Sequence, residues 1–169
     1  NLSTTEAIYL QVVRGKTAAL FSAAMEVGGV IAGVDEDRVK ALYDYGDALG
    51  IAFQIVDDLL DYRGTDATGK NVGDDFRERK LTLPVIKAIA LADADERAFW
   101  ERTIAKGKQY DDDLETAIAI LERHGTLETT RLEALSWAAQ AKDALAPLPD
   151  HPIKGMLLDL ADYVVARVR

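Results

Sequence analysis

Along this chain apolar positions recur every three to four residues, and no stretch sustains an alternation of period two. That pattern predicts helices and no strands. The first helix starts at Ser3-Thr4-Thr5-Glu6, a capping-box pattern with Ser3 as N-cap and Glu6 reaching back, and runs to about Ile31. Gly28 and Gly29 permit close packing or a kink there, and Gly33 is a C-cap. Asp35 caps a second helix that continues to about Tyr62. Residues 63–80, punctuated by Gly64, Gly69 and Gly73 and dense in charge, read as a mobile loop. Thr82-Leu83-Pro84 opens a helix through Ala92, with Pro84 in its first turn. Asp93 to Glu96 repeats the capping pattern ahead of a helix to about Lys106. Helices then follow over 111–124, stopped by Gly125, over 126–146, ended by Pro147 and Pro149, and over 153–168. With six or seven helices, no linker and no internal repeat, residues 1–169 are expected to form a single all-α unit.

The second helix carries a narrow polar stripe. At about 100° per residue, Asp47, Gly50, Gln54, Asp57, Asp58 and Asp61 fall in one arc of about 100°. The rest of the circumference is Ala48, Leu49, Ile51, Ala52, Phe53, Ile55, Val56, Leu59 and Leu60. A helix that is apolar nearly all round is buried, so its stripe is expected to face a cleft. Asp57, Asp58 and Asp61 are three or four apart and should meet at one spot, repelling by roughly 0.2–0.5 kcal/mol per pair even when solvated. No Lys or Arg lies between Ala41 and Tyr62 to offset them. Such a group suits a hard divalent cation, above all Mg²⁺ bridging to phosphate oxygens. An acidic triplet is also what an ordinary solvated helix face carries. The narrowness of the stripe, its apolar surround and the residues that follow it favour the cation.

Lys16 is the odd charge of the first helix. It shares a face with Tyr9, Val12, Val13, Leu20, Ala23 and Val27, whereas Arg14 lies on the other side. A lysine among apolar neighbours either snorkels to water or meets an anion. In the loop, Lys70 and Lys80 could fold over a phosphate, or could be ordinary solvated residues. Two further acidic runs carry no such expectation. Asp111-Asp112-Asp113 opens a helix, where acids favour the positive end of the dipole. Asp74-Asp75 has Arg77, Arg79 and Lys80 beside it as partners. His124 and His151, near helix ends, are expected at the surface.

Composition narrows the partners. The chain has 169 residues, 49% of them hydrophobic, enough for one domain with a real core. A net charge of -9 argues against nucleic acid and against an anionic membrane surface. No apolar run is long enough to span a membrane, and the N-terminus shows no signal-peptide pattern. The absence of Cys excludes disulfides and thiolate chemistry and fits a cytoplasmic protein. The chain begins at Asn1 without Met and is expected to be part of a longer polypeptide.

The ordered set Lys16-Thr17, Phe53-Gln54, Asp57-Asp58-Leu59-Leu60-Asp61, Gly69-Lys70 and Lys80-Leu81-Thr82-Leu83-Pro84 resembles the trans-type polyprenyl diphosphate synthases. Essentially the whole chain fits the C-terminal half of that all-α fold, the isoprenoid synthase helical bundle. The resemblance implies that Asp57-Asp58-Leu59-Leu60-Asp61 is the second of two aspartate-rich motifs. Asp57, supported by Asp58 and Asp61, would hold Mg²⁺ on an allylic diphosphate. Lys16 and Lys70 would bind that diphosphate, Thr17 and Gln54 would line the site near the reacting carbons, and Lys80 matches a basic position after the motif. The implied reaction joins the allylic diphosphate to isopentenyl diphosphate, with the departing diphosphate stabilised electrostatically in a dry pocket. A homodimer is implied as well.

Two departures qualify the match. The first aspartate-rich motif and the upstream basic motif for isopentenyl diphosphate are absent, so this chain alone is expected to be inactive. The loop has Arg79 where members often have Gly before the lysine. The stretch GKNVGDDFRERKLTLP leans towards the long-chain synthases that build quinone side chains. A short-chain farnesyl or geranylgeranyl diphosphate synthase, a non-catalytic accessory subunit and a terpene cyclase stand as alternatives. The intact acids and lysines count against the accessory subunit, and the loop counts against the cyclase.

Overall fold

The computed structural model describes residues 2–63 and 72–168, and among them it contains helices and no strand. The first helical segment comprises α1 (Glu6–Val13), a π-helical turn (Arg14–Ala18) and α2 (Ala19–Ile31). Then come α3 (Glu36–Arg63), the short α4 (Asp74–Arg77), α5 (Leu83–Leu91) and α6 (Ala94–Trp100), the last extended by a second π-helical turn (Glu101–Ala105). The chain finishes with α7 (Asp113–Arg123), α8 (Thr126–Ala144) and α9 (Pro152–Ala166). The seven helical segments read from the sequence are all present. The addition is α4, inside the stretch read as loop; the rest of that stretch, residues 64–71 with Lys70, lies outside the described residues.

The helix ends follow local chemistry. Gly33 has φ 68, and the bonds from Gly33 N to Val30 O and from Val34 N to Gly29 O close a Schellman motif after α2. Asp93 and Glu96 form the full capping box of α6. At the first helix, however, the cap is Thr5 and not Ser3: Ile8 N donates to Thr5 Oγ1 at 3.3 Å. Thr5 directly precedes the first helical residue, and Glu6 is drawn instead to Lys87 Nζ, 2.8 Å away on α5. His151 caps α9 by accepting from Ile153 N at 3.2 Å. His151 is exposed, while His124 is only half-buried, with Nε2 2.7 Å from Glu96 Oε2, and Arg123 reaches Glu96 Oε1 at 2.8 Å.

The residues divide into two compact units, one of Asn1–Tyr9 with Asp57–Arg131, the other of Leu10–Val56 with Leu132–Arg169. In the second, α2 lies on α3 at backbone distance. A Cβ on Gly50 would stand 2.6 Å from Ala18 Cα, and one on Gly46 would stand 2.6 Å from Phe21 O and from Ser22 Cα. Gly29 is also tight, 2.9 Å from Leu42 Cδ1 by the same measure, whereas Gly28 has open space. Ile51, Ala52, Ile55 and Val56 of α3 are wholly buried, and Tyr45 Oη donates to Leu157 O of α9 at 2.7 Å. In the first unit the core gathers around Phe76, Phe99 and Trp100, whose rings meet at 5.1–6.5 Å. Arg102 holds Asp113 through two hydrogen bonds of 2.7 Å, which buries that acid at the start of α7.

Candidate active site

The acidic turn of α3 lies in the first unit, within an otherwise apolar stretch of helix. Asp57 is half-buried, and Asp58 and Asp61 are each 4% exposed. Buried carboxylates need donors, and each finds one from a different element. The Tyr9 hydroxyl of α1 donates to Asp58 Oδ2 at 2.6 Å. The backbone N–H of Asp75, on α4, donates to Asp61 Oδ2 at 3.1 Å, and Gly73 N donates to the Asp61 carbonyl at 2.8 Å. Burial, and next the charge of Asp75, push the Asp61 carboxyl up to about 6, although the Asp75 amide pulls the other way.

The three aspartates therefore do not converge as helical spacing alone suggests. Asp58 is committed towards Tyr9 and Asp61 towards the α4 amide. Among the described residues, no three acidic or histidine side chains form a metal cluster. Asp75, set aside in the sequence as a residue with basic neighbours, is brought to Asp61 by the turn at Gly73, which has φ 84. Lys80 Nζ binds Asp75 Oδ1 at 2.9 Å and Glu78 Oε2 at 2.7 Å. Glu78 first, and then Asp75, hold the Lys80 ammonium above the usual lysine range.

This donor set suits a Mg²⁺ ion, which keeps several waters and takes one or two carboxylates plus substrate phosphates rather than an all-protein cage. Asp61 fits such an ion: its carboxyl is 4% exposed, burial first and the Asp75 charge second push it up to about 6, and a bound cation would favour its charged form.

Lys16, Thr17 and Gln54 lie in the second unit. The first π-helical turn presents Lys16, exposed, and Thr17, half-buried. Thr17 Oγ1 donates to Gln54 Oε1 at 3.0 Å. Gln54 precedes Asp57 by one turn of α3. The polar arc of α3 is shorter than the sequence implies, because its N-terminal end is occupied. Asp47 pairs with Arg14 at 3.2 Å, Arg14 also lies over the Trp137 ring at 5.6 Å, and Gly50 is pressed on Ala18. Asp111 and Asp112 are exposed at the start of α7, as expected.

Sequence reasoning missed Tyr9 and Asp75. Tyr9 reads as one more apolar position on the Lys16 face, and its partner is 49 residues away. For Asp75 no sequence signal distinguishes a residue folded back onto α3 from a solvated one.

The Polyprenyl synthetase family pattern matches residues 1–121. The chain belongs to that family. It is 41% identical to the octaprenyl diphosphate synthase of Haemophilus influenzae over 165 residues, 97% of this chain and 50% of that protein. The crystal structure of a decaprenyl diphosphate synthase from Rhodobacter capsulatus superposes with a TM-score of 0.92 at 69% identity, covering 100% of this chain and 52% of that one. A polyprenyl synthase from Caulobacter crescentus, solved with calcium and isoprenyl diphosphate, superposes with a TM-score of 0.93 at 45% identity, again covering 100% of this chain and 52% of that one. The chain thus spans about half the length of the relatives it matches.

Proposed function

We propose that the full-length protein carrying this chain is a trans-prenyltransferase that elongates an allylic diphosphate with isopentenyl diphosphate to a long-chain product, for a quinone side chain. The observation that carries the reading is the acidic turn of α3: carboxylates crowded in a buried stretch, tied to α1 and α4, in a member of the polyprenyl synthetase family. The long-chain lean rests on the likeness to proteins named octaprenyl and decaprenyl diphosphate synthases.

Asp57, the most accessible of the three acids, is the principal Mg²⁺ ligand, with Asp58 and Asp61 in support. Bound Mg²⁺ supplies positive charge against the diphosphate. Lys16 and Lys70 bind the same diphosphate and add charge-assisted hydrogen bonds that strengthen as it departs. Thr17 and Gln54, already hydrogen-bonded to one another, present polar atoms near the reacting carbons. Lys80, anchored on Asp75 and Glu78, keeps the residues after α4 beside the acids. The protein acts as a homodimer in the cytoplasm; no helix among the described residues is long and apolar enough to cross a membrane.

The test is an assay of the full-length protein with farnesyl and isopentenyl diphosphates. Mg²⁺-dependent formation of products of about eight to ten isoprene units is expected. A main product of three or four units would replace this reading with the short-chain one, and no turnover would leave an accessory subunit. Sedimentation as a monomer at micromolar concentration would remove the dimer.

A further inference from the structure

The reading above gives Tyr9 no role in binding or chemistry, yet its hydroxyl reaches the acidic turn at 2.6 Å. Its side chain is 7% exposed, and its hydroxyl donates to Asp58 Oδ2 at 2.6 Å, where Asp58 is itself 4% exposed. A hydroxyl–carboxylate bond of this length is charge-assisted and roughly twice as strong as a neutral one. The acid it meets stands between Asp57 and Asp61 in the sequence, and Asp61 is already fixed by the Asp75 amide. Asp58 is thus tied to α1 through the Tyr9 side chain.

We infer that Tyr9 is a positioning residue for the acidic turn: its hydroxyl holds Asp58 in one orientation, and the turn accepts a divalent cation with diphosphate at lower metal concentration as a result. The inference rests on the metal–diphosphate reading of this turn. Groups that orient metal-binding carboxylates from behind change metal affinity by about 10–100-fold when removed. A plain structural staple between α1 and α3 would change melting without changing the metal requirement.

The experiment uses the full-length protein and reads the thermal shift produced by Mg²⁺ with inorganic diphosphate, alongside Mg²⁺ activation of turnover. Tyr9→Phe keeps the ring and deletes the donor. It should raise the Mg²⁺ concentration for half-maximal shift about tenfold. In an Asp58→Asn background the same change should alter that concentration less than about threefold, since a residue acting through Asp58 has nothing left to orient. An unchanged requirement in Tyr9→Phe, or an equal rise in both backgrounds, overturns the inference. No Mg²⁺-dependent shift in the unaltered protein overturns the proposed function itself. Should Tyr9→Phe prove unfolded, the double variant, which lacks the stranded charge, is compared with Asp58→Asn alone. A difference above about threefold there overturns the inference, and agreement supports it.

Discussion

At the residue scale, the three aspartates of one turn have three different surroundings, and their replacements should differ accordingly. Asp57 is half-buried and is the acid best placed to meet a ligand from solvent. In the full-length protein Asp57→Ala should cost on the order of 10²–10³ in kcat, with a smaller change in KM, because the lost interaction is strongest as the diphosphate leaves. Asp112→Ala, on an exposed acid at the start of α7, should leave activity within about twofold. Equal activities at saturating Mg²⁺ would mean that the metal sits on other acids. Asp61 makes a different prediction. Burial and Asp75 raise its pKa from 3.8 to about 6, so the fold favours the neutral acid. The resulting destabilisation is absent below the unfolded value, grows as pH rises, and is complete above the folded value. Asp61→Asn should therefore stabilise metal-free protein at pH 7.5 by on the order of 1–3 kcal/mol, read as a raised melting temperature. The gain should vanish near pH 3.5. An equal gain at both pH values would refute the electrostatic cause.

At the scale of elements, α4 and the turn after it explain a residue that looked out of place. Arg79 has φ 60, a left-handed conformation that costs an L-residue roughly 1–2 kcal/mol. It adopts it because Arg79 N bonds Phe76 O at 3.0 Å and Lys80 N bonds Asp75 O at 2.9 Å, the two bonds of a Schellman motif closing α4. Arg79 occupies the position that glycine usually fills, and it is where the resemblance led us to expect Gly. The turn points Lys80 back to Asp75, which binds Asp61 in turn. Arg79→Gly should preserve that geometry and stabilise the protein by about 0.5–1 kcal/mol, the strain relieved less the extra chain entropy of glycine. Urea unfolding measures it; a loss of stability would show that the Arg79 side chain, which lies against Gly107, matters more than its backbone. The same elements mark what the sequence could and could not reveal. Helix existence was legible because apolar period and caps are local properties, and Asp93 with Glu96 is capped as written. Thr5 displacing Ser3, the π-helical turn at Lys16, and Asp75 returning to Asp61 depend on partners distant in the chain or on choices among near-equal local options. The acidic turn was legible as a group, but not that Asp58 would be held by Tyr9 and Asp61 by α4.

At the scale of the whole molecule, the exposed face of the first helical segment bears on what this chain can do alone. Val12, Leu20, Val27, Val30 and Ile31 are 52–81% exposed there, beside the exposed Lys16. A catalytic pocket for an allylic diphosphate must exclude water, both to strengthen its electrostatics and to keep a reactive cation from being hydrolysed. The chain spans about half the length of its relatives. In the proposed reaction, ionising the substrate would need metal held from both sides, the other side being the first aspartate-rich motif that the resemblance implies. The purified 169-residue chain should therefore fold as a helical protein yet form no detectable elongation product from farnesyl and isopentenyl diphosphates. Circular dichroism reports the first outcome and a radiolabelled product assay the second. Turnover by a preparation shown to be free of longer protein would mean that this half assembles a complete site unaided.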